Sequence, residues 1–107
     1  MNKCMLVGRL TKDPEGRVTS AGVSVTTFTI AVTRRNNKEE ADFINVVTWR
    51  GLADNCARYL TKGQQVAVIG ELRTRSYETD NGERRFVSEL NADEVEFLAK
   101  PAAGFLE

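Results

Sequence analysis

Hydrophobic and polar residues alternate along most of this chain with a period of two, and one short central segment changes to a period of about four. Lys3 to Leu10 predicts a first strand, with Cys4, Leu6 and Val7 as its apolar content and Gly8 as a bulge or close-approach point. TKDPEG at Thr11 to Gly16 is a turn cluster, Arg17 to Thr19 a brief extended return, and Ser20-Ala21-Gly22 a second turn. Val23 to Arg34 is a long strand whose apolar positions run Val23, Val25 and then shift parity to Phe28, Ile30 and Val32. A phase change inside one strand predicts a β-bulge, and a bent strand serves both sides of a small closed barrel.

Ala41 to Arg50, ADFINVVTWR, reads as the central strand. Phe43, Asn45, Val47 and Trp49 share one face and Ile44, Val46 and Thr48 the other, so both faces carry apolar side chains. Such a strand is either buried on both sides, which makes Phe43 and Trp49 plain core, or it offers its second face to something flat and partly apolar, such as a nucleic acid base. Leu52 to Leu60 then predicts a short amphipathic helix on Leu52, Cys56 and Leu60, closed by Thr61-Lys62-Gly63 with the glycine at the left-handed C′ position and Lys62 at the negative end of the dipole. Gln65 to Tyr77 is a long strand, Glu78 to Glu83 a hairpin turn with Asn81-Gly82 at its tip, Arg84 to Asn91 the last barrel strand, and Val95 to Leu98 a terminal extended piece. Five strands with a helix between the third and the fourth is the layout of an all-β, five-stranded Greek-key OB barrel, a fold that binds oligonucleotides or oligosaccharides. At 107 residues the chain holds one such domain, placed at residues 1–99.

Charge sharpens the nucleic-acid reading. The net formal charge is zero, but up to Tyr77 there are 12 Lys and Arg against 7 Asp and Glu, and from Glu78 onward 3 against 8. That polarity predicts a basic face on one part of the barrel. Arg73, Arg75 and Tyr77 share a strand face, two cations and an aromatic spaced by about 7 Å per step, so guanidinium groups are placed to hold phosphates while the phenol stacks on a base. The rival reading of that row is cross-strand pairing with acids such as Glu89. RRNNKEE at Arg34 to Glu40 is either a solvated charged turn or a basic finger in which Arg34, Arg35 and Lys38 reach phosphates, and Arg50 and Arg84 lie at the ends of the neighbouring strands.

Cys4 and Cys56 have no CxxC spacing and the chain has no histidine, so the pattern predicts no metal site and two small buried thiols. It predicts no cofactor either, for there is no Gly-rich phosphate loop and no nucleophile with a base at recognisable spacing; a metal-dependent nuclease using Asp42 is the weakest reading. The start, MNKCMLVGRL, is unlike a signal peptide and no segment is apolar enough to span a membrane, which predicts an intracellular, cytoplasmic protein.

LVGRLTKDPE at Leu6 to Glu15, ADFINVVTWRGLA at Ala41 to Ala53, YLTKG at Tyr59 to Gly63 and GELRTRSYETDNG at Gly70 to Gly82 together resemble the bacterial single-stranded DNA-binding protein family over roughly the first hundred residues. The resemblance implies a homotetramer of OB folds, nucleoid-associated, that coats single-stranded DNA in replication, recombination and repair without sequence preference. It further implies base stacking at Phe43, Trp49 and Tyr77 and backbone contacts from basic residues of the barrel and its hairpins. Two departures stand out. Asn36 occupies the neighbourhood where members commonly carry another aromatic, which puts one stacking platform in doubt. Members usually continue into a long Gly, Pro and Gln rich tail with an acidic, apolar-tipped terminus that recruits replication and repair proteins, whereas this sequence stops at PAAGFLE; residues 100–107 are read as a truncated remnant with Leu106-Glu107 vector-derived, or as the end of a short paralogue.

Two further readings use the same fold. One is a replication accessory or primosome protein acting mainly through protein contacts, which near-zero charge and the absent aromatic favour. The other is RNA binding, because stacking and phosphate contacts do not by themselves select deoxyribose.

Overall fold

A computed structural model describes residues 1–100 of the chain; the stretch read above as a remnant or tag-derived end lies, from residue 101 onward, outside the described residues. The elements run β1 (Cys4–Leu10), β2 (Glu15–Val18), β3 (Ser24–Thr33), β4 (Ala41–Trp49), α1 (Arg50–Tyr59), β5 (Gln65–Glu78) and β6 (Arg84–Phe97). Neighbours in the sheet follow the order β1-β5-β6-β4-β3-β2, and β1 also pairs with β3. That extra pairing closes the ring β1-β5-β6-β4-β3, so the OB barrel has the five wall strands expected, and β2, the brief return, is a sixth strand appended to β3. All pairings are antiparallel except β4 with β6.

Closure decides which parity is core. Even-numbered residues of the wall strands point inward: Leu10, Phe28, Ile30, Val46, Val66, Val68 and Leu90 are buried together with Cys56 and Leu60 from the helix segment. The buried hydroxyls among them are satisfied, with Thr26 Oγ1 donating to the Ala53 carbonyl at 2.7 Å and Thr48 Oγ1 to the Thr26 carbonyl at 2.8 Å. These two bonds tie α1 to β3 and β3 to β4 where an unpaired hydroxyl would cost about 1–3 kcal/mol. The helix covers one end of the barrel through Ala53 and Cys56. Burial pushes the Cys56 thiol up to about 11, so this cysteine is a packing residue; Cys4 is only half-buried.

Three expectations need correction. The parity change in β3 is not a bulge, because β3 pairs with β4 in unbroken register from Val25 opposite Trp49 to Thr33 opposite Ala41. Val25 sits on the outward parity and is buried there, with Trp49 beside it on one neighbouring strand and Arg17 on the other. The register shift lies instead between β5 and β6, at Ile69/Gly70, where Asp93 is the extra residue between Ala92 and Glu94. That bulge carries the last strand round the corner as one element, so Arg84 to Asn91 and Val95 to Leu98 are not separate pieces. Finally, α1 ends at Tyr59 on an extended Leu60 whose N–H donates to the Cys56 carbonyl, and Gly63, at φ 84°, turns the following loop instead of capping the helix. Its N–H reaches the Leu10 carbonyl at 2.9 Å, and the Lys62 N–H is held by Asp13 Oδ1 at 2.8 Å, so the loop is tied to the end of β1 and not to the helix dipole.

Gly70 is the residue the bulge requires. A Cβ there would overlap the backbone of Asn91 and Ala92, which no rotamer change relieves. Gly70→Ala is therefore expected to destabilise the domain by about 1–3 kcal/mol or more, read as a lowered urea midpoint by circular dichroism; a midpoint within error of wild type would mean that the bulge is soft.

Candidate nucleic-acid interface

The odd-numbered residues of the wall strands form the outer face. Residues directly opposite in register share a face, so the rows can be followed from strand to strand: Thr29 opposite Asn45, Asn45 opposite Glu89, Glu89 opposite Arg73. Along β4 this face carries Phe43, Asn45, Val47 and Trp49, and along β5 it carries Arg73, Arg75 and Tyr77. All three candidate aromatics therefore lie on one continuous surface, 68% (Phe43), 42% (Trp49) and 47% (Tyr77) exposed. The core reading of Phe43 and Trp49 is set aside by those exposures.

Trp49 is held in place. Its Nε1–H donates to Asn91 Oδ1 at 3.0 Å, the buried Val25 lies opposite it on β3, and the next residue, Arg50, is the one non-glycine with positive φ (58°) among the described residues. The left-handed turn at Arg50 costs about 1–2 kcal/mol and swings the chain from β4 into α1 immediately after the indole. Asn45 is also fixed, accepting from Thr29 Oγ1 at 3.0 Å. An open pocket of about 240 Å³ sits at the centre of the face, lined by Lys12 from the β1–β2 connection, by Glu15 at the start of β2, by Asn45 and Val47, and by Glu89.

The charged residues are less free than the pattern suggested. Arg75 Nε donates to Glu89 Oε1 at 3.1 Å, which realises the cross-strand rival for that residue, and Arg73 is held by Glu71 Oε1 at 2.7 Å from its own strand. The two halves of the charge asymmetry interleave because β5 and β6 are antiparallel neighbours, so no purely basic face results. Arg34 is not a finger: it binds Asp42 at 2.8 Å and Glu40 at 3.0 Å, locking the base of its loop to β4 next to Phe43. Arg35 and Lys38 are exposed in that loop and, with Arg50, belong to no ion pair among the described residues.

Arg84 is not brought to the face. It lies opposite Glu78 on the reverse side of the β5–β6 ribbon and donates to Ser76 Oγ at 2.9 Å. Arg85 is the residue opposite Tyr77, and counting back from Asn81-Gly82 to find the hairpin partners would have selected it. Asn91 and Phe86 were also missed. Phe86, 77% exposed, stands on the ribbon's reverse side beside Arg84, whereas the tie from Asn91 to Trp49 spans 42 residues and leaves no local sequence signal. Among the described residues no group of three or more His, Cys, Asp or Glu is placed to hold a metal ion, and no helix is long and apolar enough to cross a membrane.

The Arg34 hydrogen bond, reinforced by its charge, holds the Asp42 carboxyl below its ordinary value of 3.8. A lowered folded value means that the pair stabilises the folded loop above the ordinary carboxylate range and that this contribution is lost as pH falls through the depressed value. Carbon-detected NMR titration should find Asp42 titrating below 3.8, and Arg34→Gln should return it toward that value; no change on Arg34→Gln would remove the ion pair as the cause.

Residues 1–98 match the family model described as the single-strand binding protein family. The chain is similar to single-stranded DNA-binding protein 2 of Listeria monocytogenes, 53% identical over 102 residues that cover 92% of this chain and 64% of that protein. It is also similar to single-stranded DNA-binding protein A of Bacillus subtilis, 50% identical with 97% and 63% covered, and to the single-stranded DNA-binding protein of Clostridium tetani, 51% identical with 92% and 70% covered. The chain thus spans just under two thirds of the length of the first two relatives.

Proposed function

Because the chain belongs to the single-strand binding protein family, we propose that the outer face of its barrel binds single-stranded DNA without reading its sequence, as a non-catalytic coat for strands exposed in replication, recombination and repair in the bacterial cytoplasm. The observation that carries this reading is the shared face of Phe43, Trp49 and Tyr77, three exposed aromatics fixed on strands and bordered by Arg73, Arg75 and Arg85. Every base offers a ring to an aromatic, so stacking supplies affinity without selecting a base, and guanidinium groups hold the backbone at the same time. Duplex DNA presents no free ring faces.

Trp49 is the only tryptophan and reports on the path directly. Titration with oligo-dT should quench its fluorescence, the log of the affinity should fall with log salt at about −0.7 per phosphate neutralised, and replacing Phe43, Trp49 or Tyr77 by Ala should each cost about 1–3 kcal/mol of single-strand affinity. Equal affinity for duplex, or full affinity after Phe43 and Trp49 are both replaced, would transfer the function to protein contacts of the accessory type.

Assembly into a homotetramer is the second part of the proposal. Cys4 to Gly8 pairs only with β5, leaving one edge of β1 open, and Met5 and Val7 are exposed beside it. An open apolar edge is a template for pairing with a second copy. Light scattering should give the mass of four 11.9 kDa chains, and Val7→Lys should lower it; an undiminished mass would move the interface elsewhere. Replication and repair proteins are proposed as partners of a chain carrying the acidic tail usual in the family, in the part of the relatives that the match does not reach.

A further inference from the structure

Of the arginines on the aromatic face, Arg73 and Arg75 are each held at hydrogen-bond distance by a carboxylate. Arg34 has its partners off that face: Nε and Nη2 donate to Asp42, on the opposite parity of β4 from Phe43, and Nη1 to Glu40. Arg73 spends Nε and Nη2 on one oxygen of Glu71, at 3.1 and 2.7 Å. Arg75 gives only Nε, to Glu89 Oε1, and its terminal nitrogens have no partner among the described residues. The acids differ from ordinary surface counter-charges in one respect. Glu89 has a side chain only 22% exposed and projects from β6 into the middle of the face, opposite Asn45 on one strand and Arg73 on the other, with Lys12 and Glu15 across the pocket. Glu71 has the same outward parity, opposite Asn91, whereas Asp42, opposite Val32, has the other.

A guanidinium fork accepts a carboxylate or a phosphate in the same planar, two-point geometry, and it cannot hold both on the same nitrogens. We infer that Glu89 and Glu71 are resident competitors for phosphate: a bound strand takes over Arg75 and Arg73 by exchange, and the displaced carboxylates remain beside the DNA as repulsive neighbours. This inference rests on the proposed single-strand reading and adds to it a regulatory surface. Two consequences follow. Affinity is lower than the number of cations on the face would supply. The salt dependence is shallower, because a carboxylate that loses its arginine recruits a solution cation and offsets part of the counterion release from the strand. The exchange keeps a coating protein removable, since each phosphate contact has a substitute partner waiting at hydrogen-bond distance.

The test compares the full chain with Glu89→Gln, Glu71→Gln and a charge-matched control, Glu96→Gln, on an oligo-dT by Trp49 quenching across a salt series. Glu96 faces Ala67, away from the arginine row, and forms no ion pair among the described residues. Breaking one exposed competitor pair should tighten binding at low salt by about two- to fivefold and steepen the log–log slope by up to about 0.7. The control should leave the slope unchanged. Weaker binding by Glu89→Gln and Glu71→Gln would make the acids positioning residues and overturn the inference, as would equal effects from all three variants, which would reduce it to net charge. Absence of binding by the wild-type chain would instead sink the single-strand reading itself, and this inference with it. Glu89→Gln keeps size and an amide oxygen for Arg75, and melting curves on each variant establish that the fold is intact.

Discussion

The barrel depends on a three-residue contact. Asn45, Val46 and Val47 of β4 run parallel to Glu89, Leu90 and Asn91 of β6, the single parallel pairing in an otherwise antiparallel sheet. Without it the barrel is an open sheet, parted along the seam where Val46 and Leu90, both fully buried, lie opposite each other. With it the even parity of both strands is sealed inside and the odd parity is fixed outside. The same contact places Glu89 and Asn91 beside Asn45 and Val47, so the closure of the core and the assembly of the outer face are one event. The bulge at Gly70 is its companion: β6 must leave β5's register to reach β4, and a side chain at position 70 would occupy the space of the bent backbone.

An aromatic left 68% exposed, as Phe43 is, forgoes the burial that stabilises most such residues by about 1.5–3 kcal/mol. The fold offsets this with devices that hold the aromatic face rigid from behind. Trp49 is bonded to Asn91 and stands opposite Val25, the Arg34 loop is clamped beside Phe43, and Tyr77 stands on a long paired ribbon. Rigid platforms lose little conformational freedom when a flat ligand arrives, which is the physical reason to build them on strands and not on loops.

Much of this was legible in the residues. Period-two alternation located all five wall strands, the two-sided pattern of ADFINVVTWR left Phe43 and Trp49 as either core or contact face, and the RTRSY row put Arg73, Arg75 and Tyr77 on one face. What escaped was non-local. Val25 looks like a phase error until Trp49 is laid against it from the next strand, and Asp93 looks like a gap between two strands until β5 supplies the register. Arg84 and Arg85 are adjacent cations that a hairpin sends to opposite sides, so only the turn register distinguishes them. The pairing of Arg34 with Asp42 is an eight-residue relation across a loop, and composition alone reads its parts as a free basic cluster.

A net charge of zero is usually taken to weigh against a nucleic-acid binder, and the arrangement here shows why that inference is too coarse. Exposed ion pairs contribute little to stability, about 0–1 kcal/mol each, so Glu71 and Glu89, each paired with an exposed arginine, are poorly explained as stabilisers of the barrel. They do set the potential over the aromatic face, which is weakly charged at a distance and rich in guanidinium at contact. Such a surface draws a polyanion little through long-range attraction and makes its contacts at close range, once the acids give way. Affinity then depends on stacking and on partner exchange in the same place, and the balance between them lies with residues that a charge count records only as cancelling.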